Sequence, residues 1–216
     1  MKKDLTELVF ILDRSGSMAG LEADTIGGFN SLIAKQQKLP GEVYVSTVLF
    51  DNRREVIHDR VSIQNISPMT EKTYYVRGST ALLDAIGCSI HHIGNVHKYA
   101  RPEDVPEKTL FIITTDGMEN ASRTYTLAEV KSMIEHQKEK YNWEFLFLGA
   151  NMDAVSVAGR FGINADHAVT YVADEEGTAL NYDVLSEAVA ERRFSSKPLT
   201  SSWKKRIVDR TSRARR

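Results

Sequence analysis

Three short segments of the chain carry oxygen donors in a pattern that suits a hard cation. Asp13-Arg14-Ser15-Gly16-Ser17 sets one carboxylate and two hydroxyls at alternate positions. In an extended turn, alternate side chains can point to one side, so the three oxygens can converge. Gly16 relaxes the backbone between the two serines. Asp116-Gly117 offers a second carboxylate at a sharp turn, and Arg77-Gly78-Ser79-Thr80-Ala81-Leu82 offers the Thr80 hydroxyl on a loop whose Gly78 permits close approach. The set Asp13, Ser15, Ser17, Thr80 and Asp116 contains no sulfur and no imidazole. Oxygen-only donors suit Mg2+ or Mn2+, with Ca2+ a further option.

These segments need elements that bring them together. Leu8 to Leu12, Thr109 to Thr115 and Trp143 to Leu148 are apolar runs without alternation, as expected for central strands covered on both faces. Val43 to Phe50 is a further strand. Asp51-Asn52-Arg53-Arg54 reads as a hairpin turn into Glu55 to Ile63, a mixed polar and apolar strand that belongs at an antiparallel sheet edge. His167 to Val172 makes the sixth strand. Helical spacing links Ile26, Phe29 and Ile33, then Leu83, Ile86, Ile90 and Ile93 over Ala81 to Tyr99. It recurs in Leu127, Val130, Met133 and Ile134, and in Ala154, Val157, Ala158 and Phe161 up to Gly162. Leu180, Val184 and Ala188 suggest a last helix beyond the sheet. The alternation predicts an α/β fold: a doubly wound, Rossmann-like, mostly parallel six-stranded sheet with one antiparallel edge strand and helices on both faces. In such sheets ligands bind beyond the C-terminal ends of the strands, near the point where strand order reverses. Asp13 and Asp116 each follow a central strand.

Together, Asp13-x-Ser15-x-Ser17, Gly78-Ser79-Thr80-Ala81-Leu82 and Thr115-Asp116-Gly117 resemble the von Willebrand factor A (vWA) domain and its metal-ion-dependent adhesion site (MIDAS). The resemblance covers about residues 5–172, with the motifs in the right order. Leu148-Gly149-Ala150-Asn151-x-Asp153 and the chain beyond residue 175 are similar to a stand-alone bacterial branch, the tellurite-resistance-associated vWA proteins. The resemblance implies that Ser15 and Ser17 ligate a metal through their hydroxyls. It implies that Thr80 ligates directly or through water according to loop state, and that Asp13 and Asp116 act directly or through water. With three neutral hydroxyls among five donors, a bound divalent ion is incompletely neutralised and seeks an anionic oxygen, most naturally an Asp or Glu of a partner protein.

Composition sets the remaining bounds. The chain has 216 residues, 42% of them apolar, 26% charged, with a net charge of −1, which excludes an intrinsically disordered chain. Cys88 is the single cysteine, so an intramolecular disulfide framework is excluded and a reducing, cytoplasmic compartment is expected. The five-residue apolar stretch at Leu8 to Leu12 is too short for membrane insertion. Residues 192–216 hold ten Lys/Arg against Asp209 alone, while residues 1–191 hold 18 Lys/Arg and 28 Asp/Glu. The expected organisation is a vWA domain over 1–175, a helical extension over 176–194 and a basic, flexible tail over 195–216. That tail could bind nucleic acid, an anionic surface or the acidic body. A Mg2+-dependent phosphohydrolase using the same crevice is a further alternative. However, Gly-x4-Gly-Lys-Ser/Thr, Gly-x-Ser-x-Gly and Gly-x-Gly-x-x-Gly motifs are absent, Arg14 and Arg77 are the only cations near the site, and a non-enzymatic binding module is the reading adopted. His91, His92 and His97 have poor spacing for zinc. Asp51 reads as a turn residue, Asp84 as a local cap or hydrogen-bonding residue with support of the metal loop as the alternative, Cys88 as a small buried hydrophobe, and Asn151 and Asp153 as a helix start.

Overall fold

The computed structural model describes residues 1–214. Twelve principal elements follow in order: β1 (Lys2–Asp13), α1 (Glu22–Gln37), β2 (Glu42–Phe50), β3 (Arg54–Ser62), α2 (Leu82–Tyr99), β4 (Pro106–Thr115), α3 (Leu127–Tyr141), β5 (Glu144–Ala150), α4 (Ala154–Arg160), β6 (Ala168–Tyr171), α5 (Glu175–Phe194) and α6 (Lys205–Ala214). The six strands form one sheet in the order β3-β2-β1-β4-β5-β6. β3 alone runs antiparallel, at the edge and beside β2, as its mixed polarity predicts. Strand order reverses between β1 and β4. The chain leaves β1 toward β2 by way of α1 and later enters β4 from α2, which opens a crevice at the C-terminal ends of these two strands.

The apolar runs lack alternation because both faces are covered. Leu8, Phe10 and Leu12 pack into one cluster with Phe29 and Leu32 of α1 and Val184 and Leu185 of α5. Val9 and Ile11 pack into the other with Ile86 and Ile90 of α2, Val130 and Ile134 of α3, and Ala154 and Ala158 of α4. α3 starts with a capping box, Thr126 with Glu129, and ends at Asn142 in the left-handed conformation. α4 stops before Gly162, whose φ is +77°.

The C-terminal part differs from the sequence expectation. α5 is not beyond the sheet: Tyr182, Val184, Leu185, Ala188 and Val189 belong to the same cluster as the central strand. The segment expected as a flexible tail carries α6 over Lys205–Ala214, while Arg215 and Arg216 lie outside the described residues. Leu199, Trp203 and Ile207 are buried, at four-residue spacing, in the α1/α5 cluster. Many of the cations are engaged by the body. Arg206 pairs with Asp183 and Glu187, each at 2.8 Å, and Arg210 donates to both oxygens of Asp174 at 2.8 Å. Lys204 donates to the carbonyls of Ala165 and Ala168, and Arg193 to those of Gln36 and Pro40. The charge of this segment is therefore partly taken up by acids that lie elsewhere in the sequence.

One buried ion pair fastens this segment to the sheet. Glu144 at the start of β5 pairs with Arg192 of α5 and accepts hydrogen bonds from His167 at 3.3 Å and the Leu199 amide at 3.0 Å. Burial alone pushes the Glu144 carboxyl up, but His167, the Leu199 amide and Arg192 outweigh it and hold the group below its ordinary value. A carboxyl depressed in the folded state contributes stability above its unfolded value and loses it as pH falls through the folded one. Urea unfolding should show the wild type more stable than Glu144→Gln by about 1–3 kcal/mol at pH 7. The gap should narrow as pH falls below about 4 and close once the folded carboxyl, held lower still, is protonated as well. A gap independent of pH would mean that shape, not charge, makes the difference.

Candidate metal centre

The five sequence-predicted donors meet at the crevice between β1 and β4. β1 delivers Asp13, fully buried, at its last residue. One Asp13 oxygen accepts the Ser15 amide at 2.7 Å and the other accepts the Thr115 hydroxyl at 2.6 Å. The Tyr74 hydroxyl donates to the Asp13 carbonyl at 2.5 Å, which fixes the strand end from below. The turn that follows brings the Ser15 and Ser17 hydroxyls within 3.0 Å of each other. The Ser17 hydroxyl also donates to the Asp116 carboxylate across the crevice. Thr80 completes the cluster from the loop before α2. A Cβ placed on Gly117 would stand 2.7 Å from the Thr80 hydroxyl and 3.2 Å from that of Ser17. Glycine is needed at 117 because the hydroxyls occupy the space a side chain would take.

The electrostatics fit a hard divalent cation. Burial pushes both the Asp13 and the Asp116 carboxyl above the ordinary range, and for Asp13 the nearby Asp116 charge adds to this against its hydrogen bonds. Two desolvated carboxylates beside three hydroxyls form a set of oxygen donors whose charge wants a counter-cation. Among the described residues no group of three or more His, Cys, Asp or Glu side chains gathers to hold a metal, and the crevice itself offers two carboxylates with three hydroxyls. A cavity of about 430 Å3 opens beside Ser17 and Asp116 and is lined by Asp24, Asn151, Asp174 and Glu175.

The cations nearest in sequence are held on the other side of the turn. Arg14 is fully buried, with Nε 3.0 Å and Nη2 2.8 Å from carboxylate oxygens of Asp51 and Glu55 respectively. Its guanidinium lies 5.4 Å from the Tyr75 ring centre. Arg77 reaches the same Asp51 oxygen at 2.7 Å. Asp51 is the turn residue that the sequence suggests, accepting the Arg53 amide at 2.8 Å, but it is also the buried hub of two guanidiniums. Burial raises the Asp51 carboxyl, and Arg77, the Arg53 amide and Arg14 outweigh that, leaving it below its usual value. The sequence shows no sign of this hub because its members lie 26 and 37 residues apart.

The remaining residues resolve as follows. Asp84 is not a local cap: it accepts the amides of Arg123, Thr124 and Tyr125, each at 2.9 Å, and so fastens the chain after Asp116 to α2. His92 and His97 turn to different acids, Asp59 at 2.8 Å and Glu7 at 3.3 Å. Cys88 is half-buried in α2 rather than fully buried. Asp153 caps α4 by accepting the Ser156 amide at 3.1 Å. Asn151 adopts a left-handed conformation, φ +52°, and faces the cavity beside Asp116.

Comparison with solved structures bears on the fold. A mutant PilB minor pilin from Streptococcus sanguinis superposes with a TM-score of 0.64 at 12% identity over 92% of this chain and 64% of that one. A von Willebrand factor type A protein from Catenulispora acidiphila gives 0.55 at 15% identity, covering 87% of this chain and 42% of that one. The fold is von Willebrand factor A-like. Proximal thread matrix protein 1 from the mussel byssus, with a zinc-occupied MIDAS motif, gives 0.57 at 14% identity over 88% and 47%. This vWA-like chain thus spans about two thirds of the pilin and under half of the other two. No protein-family model and no curated protein sequence matches it.

The Asp51 hub yields a stability prediction. Asp51→Asn leaves the Arg14 guanidinium buried with its main counter-charge removed, and breaking such a pair costs about 3–5 kcal/mol. Urea unfolding of the variant should show a loss of that order. A loss near zero would mean that Glu55 and Tyr75 suffice to satisfy Arg14.

Proposed function

We propose that the chain is a divalent-metal-dependent protein-binding module. Asp13, Ser15, Ser17, Thr80 and Asp116 hold the cation, with Mg2+ the best match to a small, hydroxyl-rich, oxygen-only set. When bound, the ion supplies an electrophilic position that accepts a carboxylate oxygen from an Asp or Glu of a partner protein. The observation that carries this reading is the Ser15–Ser17–Asp116 chain of contacts, closed by Thr80 over Gly117. Asp13 orients the turn through the Ser15 amide, and Thr115 holds Asp13 in place. The zinc-occupied MIDAS of the mussel protein supports a metal at the matching edge of the fold. The finer likeness to the tellurite-resistance-associated branch, and with it a bacterial setting, rests on Leu148 to Asp153 and the chain beyond residue 175, while a cytoplasmic setting rests on the single cysteine.

The two alternatives are less well supported. Nucleic-acid binding through the tail competes with ion pairs that already engage Arg206 and Arg210. Phosphoester hydrolysis needs a cation or base beside Asp13, and Arg14 and Arg77 are turned toward Asp51. No described helix is long and apolar enough to cross a membrane.

Calorimetric titration with Mg2+ and Mn2+ tests the reading directly. The wild type should bind one ion, and Asp116→Ala should weaken binding by about 100-fold or more, beyond the range seen for groups outside the ligand sphere. Capture of a partner should then require Mg2+, fail in EDTA and fail with Ser15→Ala. Equal capture in all three conditions would sink the metal-bridged mechanism.

A further inference from the structure

The two loops that carry Thr80 and Asp116 are locked to each other by residues with no metal-ligating role. The Thr80 amide donates to the Asn120 side-chain oxygen at 2.9 Å, and the Asn120 amide donates back to the Thr80 carbonyl at 3.0 Å. Both backbone polar groups of Thr80 are therefore spent on one residue. Glu119, next in the chain, accepts the Leu83 amide at 2.8 Å on one carboxylate oxygen and the amides of Ala121 and Ser122 on the other. Ser122 accepts the Asp84 amide at 3.0 Å, and Asp84 holds the three amides that follow. Residues 80–84 and 119–125 thus exchange hydrogen bonds in both directions. The Thr80 side chain meanwhile stands over Gly117, as does the Ser17 hydroxyl.

We infer that Asn120 is a positioning residue for the metal centre, setting where the Thr80 hydroxyl stands relative to Ser17 and Asp116, with Glu119 bracing the same contact. The inference rests on the proposed metal reading and extends it. Thr80 has no freedom to rotate about its own backbone without breaking both bonds to Asn120. Thr80 is consequently held to the chain that follows Asp116. The turn that carries Ser15 and Ser17 is tied to the Thr80 loop by the Gly16 amide, which donates to the Gly78 carbonyl at 3.1 Å, and to Asp116 by the Ser17 hydroxyl. A metal ion would draw donors from all three segments. Its affinity depends on how well their spacing is preset, as for supporting groups around metal ligands in general.

Mn2+ is the probe, followed by electron paramagnetic resonance on the full chain. Asn120→Leu keeps the approximate shape but removes the acceptor, and it should weaken Mn2+ binding by about tenfold to 100-fold. Asn120→Asp keeps the acceptor and should bind as tightly as the wild type or more so. Melting temperatures in EDTA separate positioning from folding: the affinity loss should appear without a matching loss of apo stability. Should Asn120→Leu fail to fold, Asn120→Gly carries the same expectation. Mn2+ binding by the wild type with unchanged affinity in the variant would overturn the positioning role and leave the metal reading intact. No Mn2+ binding by the wild type would overturn both.

Discussion

Everything at the site depends on the parallel pairing of β1 with β4. Ile11 stands opposite Ile113 and Leu12 opposite Thr114 in that register. The next residue of β1 is Asp13, and the next of β4 is Thr115, whose hydroxyl closes on the Asp13 carboxylate. One hydrogen bond between residues 102 positions apart thus brings two distant strand ends to one edge. Side chains alternate along a strand, so a slip of one residue would send the Asp13 side chain to the opposite face, away from Thr115 and the hydroxyls. The apolar faces forbid the slip: Leu8, Phe10 and Leu12 serve one core cluster and Val9 and Ile11 the other. Core packing therefore sets the register, and the register sets the site.

The same alternation sorts charge. Asp13 and Arg14 are adjacent, yet the carboxylate joins the hydroxyls while the guanidinium turns to Asp51 and Glu55. Were Arg14 to face the crevice it would neutralise Asp13 and leave no electrostatic demand for a metal. The hub at Asp51 instead takes up both nearby arginines. It also contributes to geometry, since its carbonyl accepts the Ala81 amide at 2.8 Å, one residue after Thr80. Removal of cations from the crevice and anchorage of the Thr80 loop are thus the work of one residue.

Much of this was legible in the sequence because it is local. Doubly covered strands show as unbroken apolar runs, the edge strand as mixed polarity, and the five donors as residues that end strands or open helices. What was not legible is paired over long distances. Asp51, read as a turn residue, reveals its second role only when Arg14 and Arg77 arrive from other segments. Glu119 and Asn120 sit in a polar loop with no periodicity, and their partners are backbone groups, which no side-chain pattern records. The tail misled for a related reason. Its composition suggests solvation, but the four-residue spacing of Leu199, Trp203 and Ile207 was a helical signal that the charge obscured, and the balancing acids lie on α5 and its cap.

That docked tail meets the site through Asp174. Its carboxylate caps α5 by accepting the Gly177 amide at 2.7 Å and takes Arg210 on both oxygens. It also lines the acidic cavity beside Ser17 and Asp116. Arg210 hence offsets part of the negative charge on the rim without entering the donor set. An exposed pair of this kind contributes about 1 kcal/mol or less on its own. Its effect on the rim is a matter of field rather than fold: Arg210 places a positive charge beside one of the cavity's acids, Asp174. The basic segment that composition would assign to an external anion thus pairs with acids of the chain itself, among them Asp174, Asp183 and Glu187.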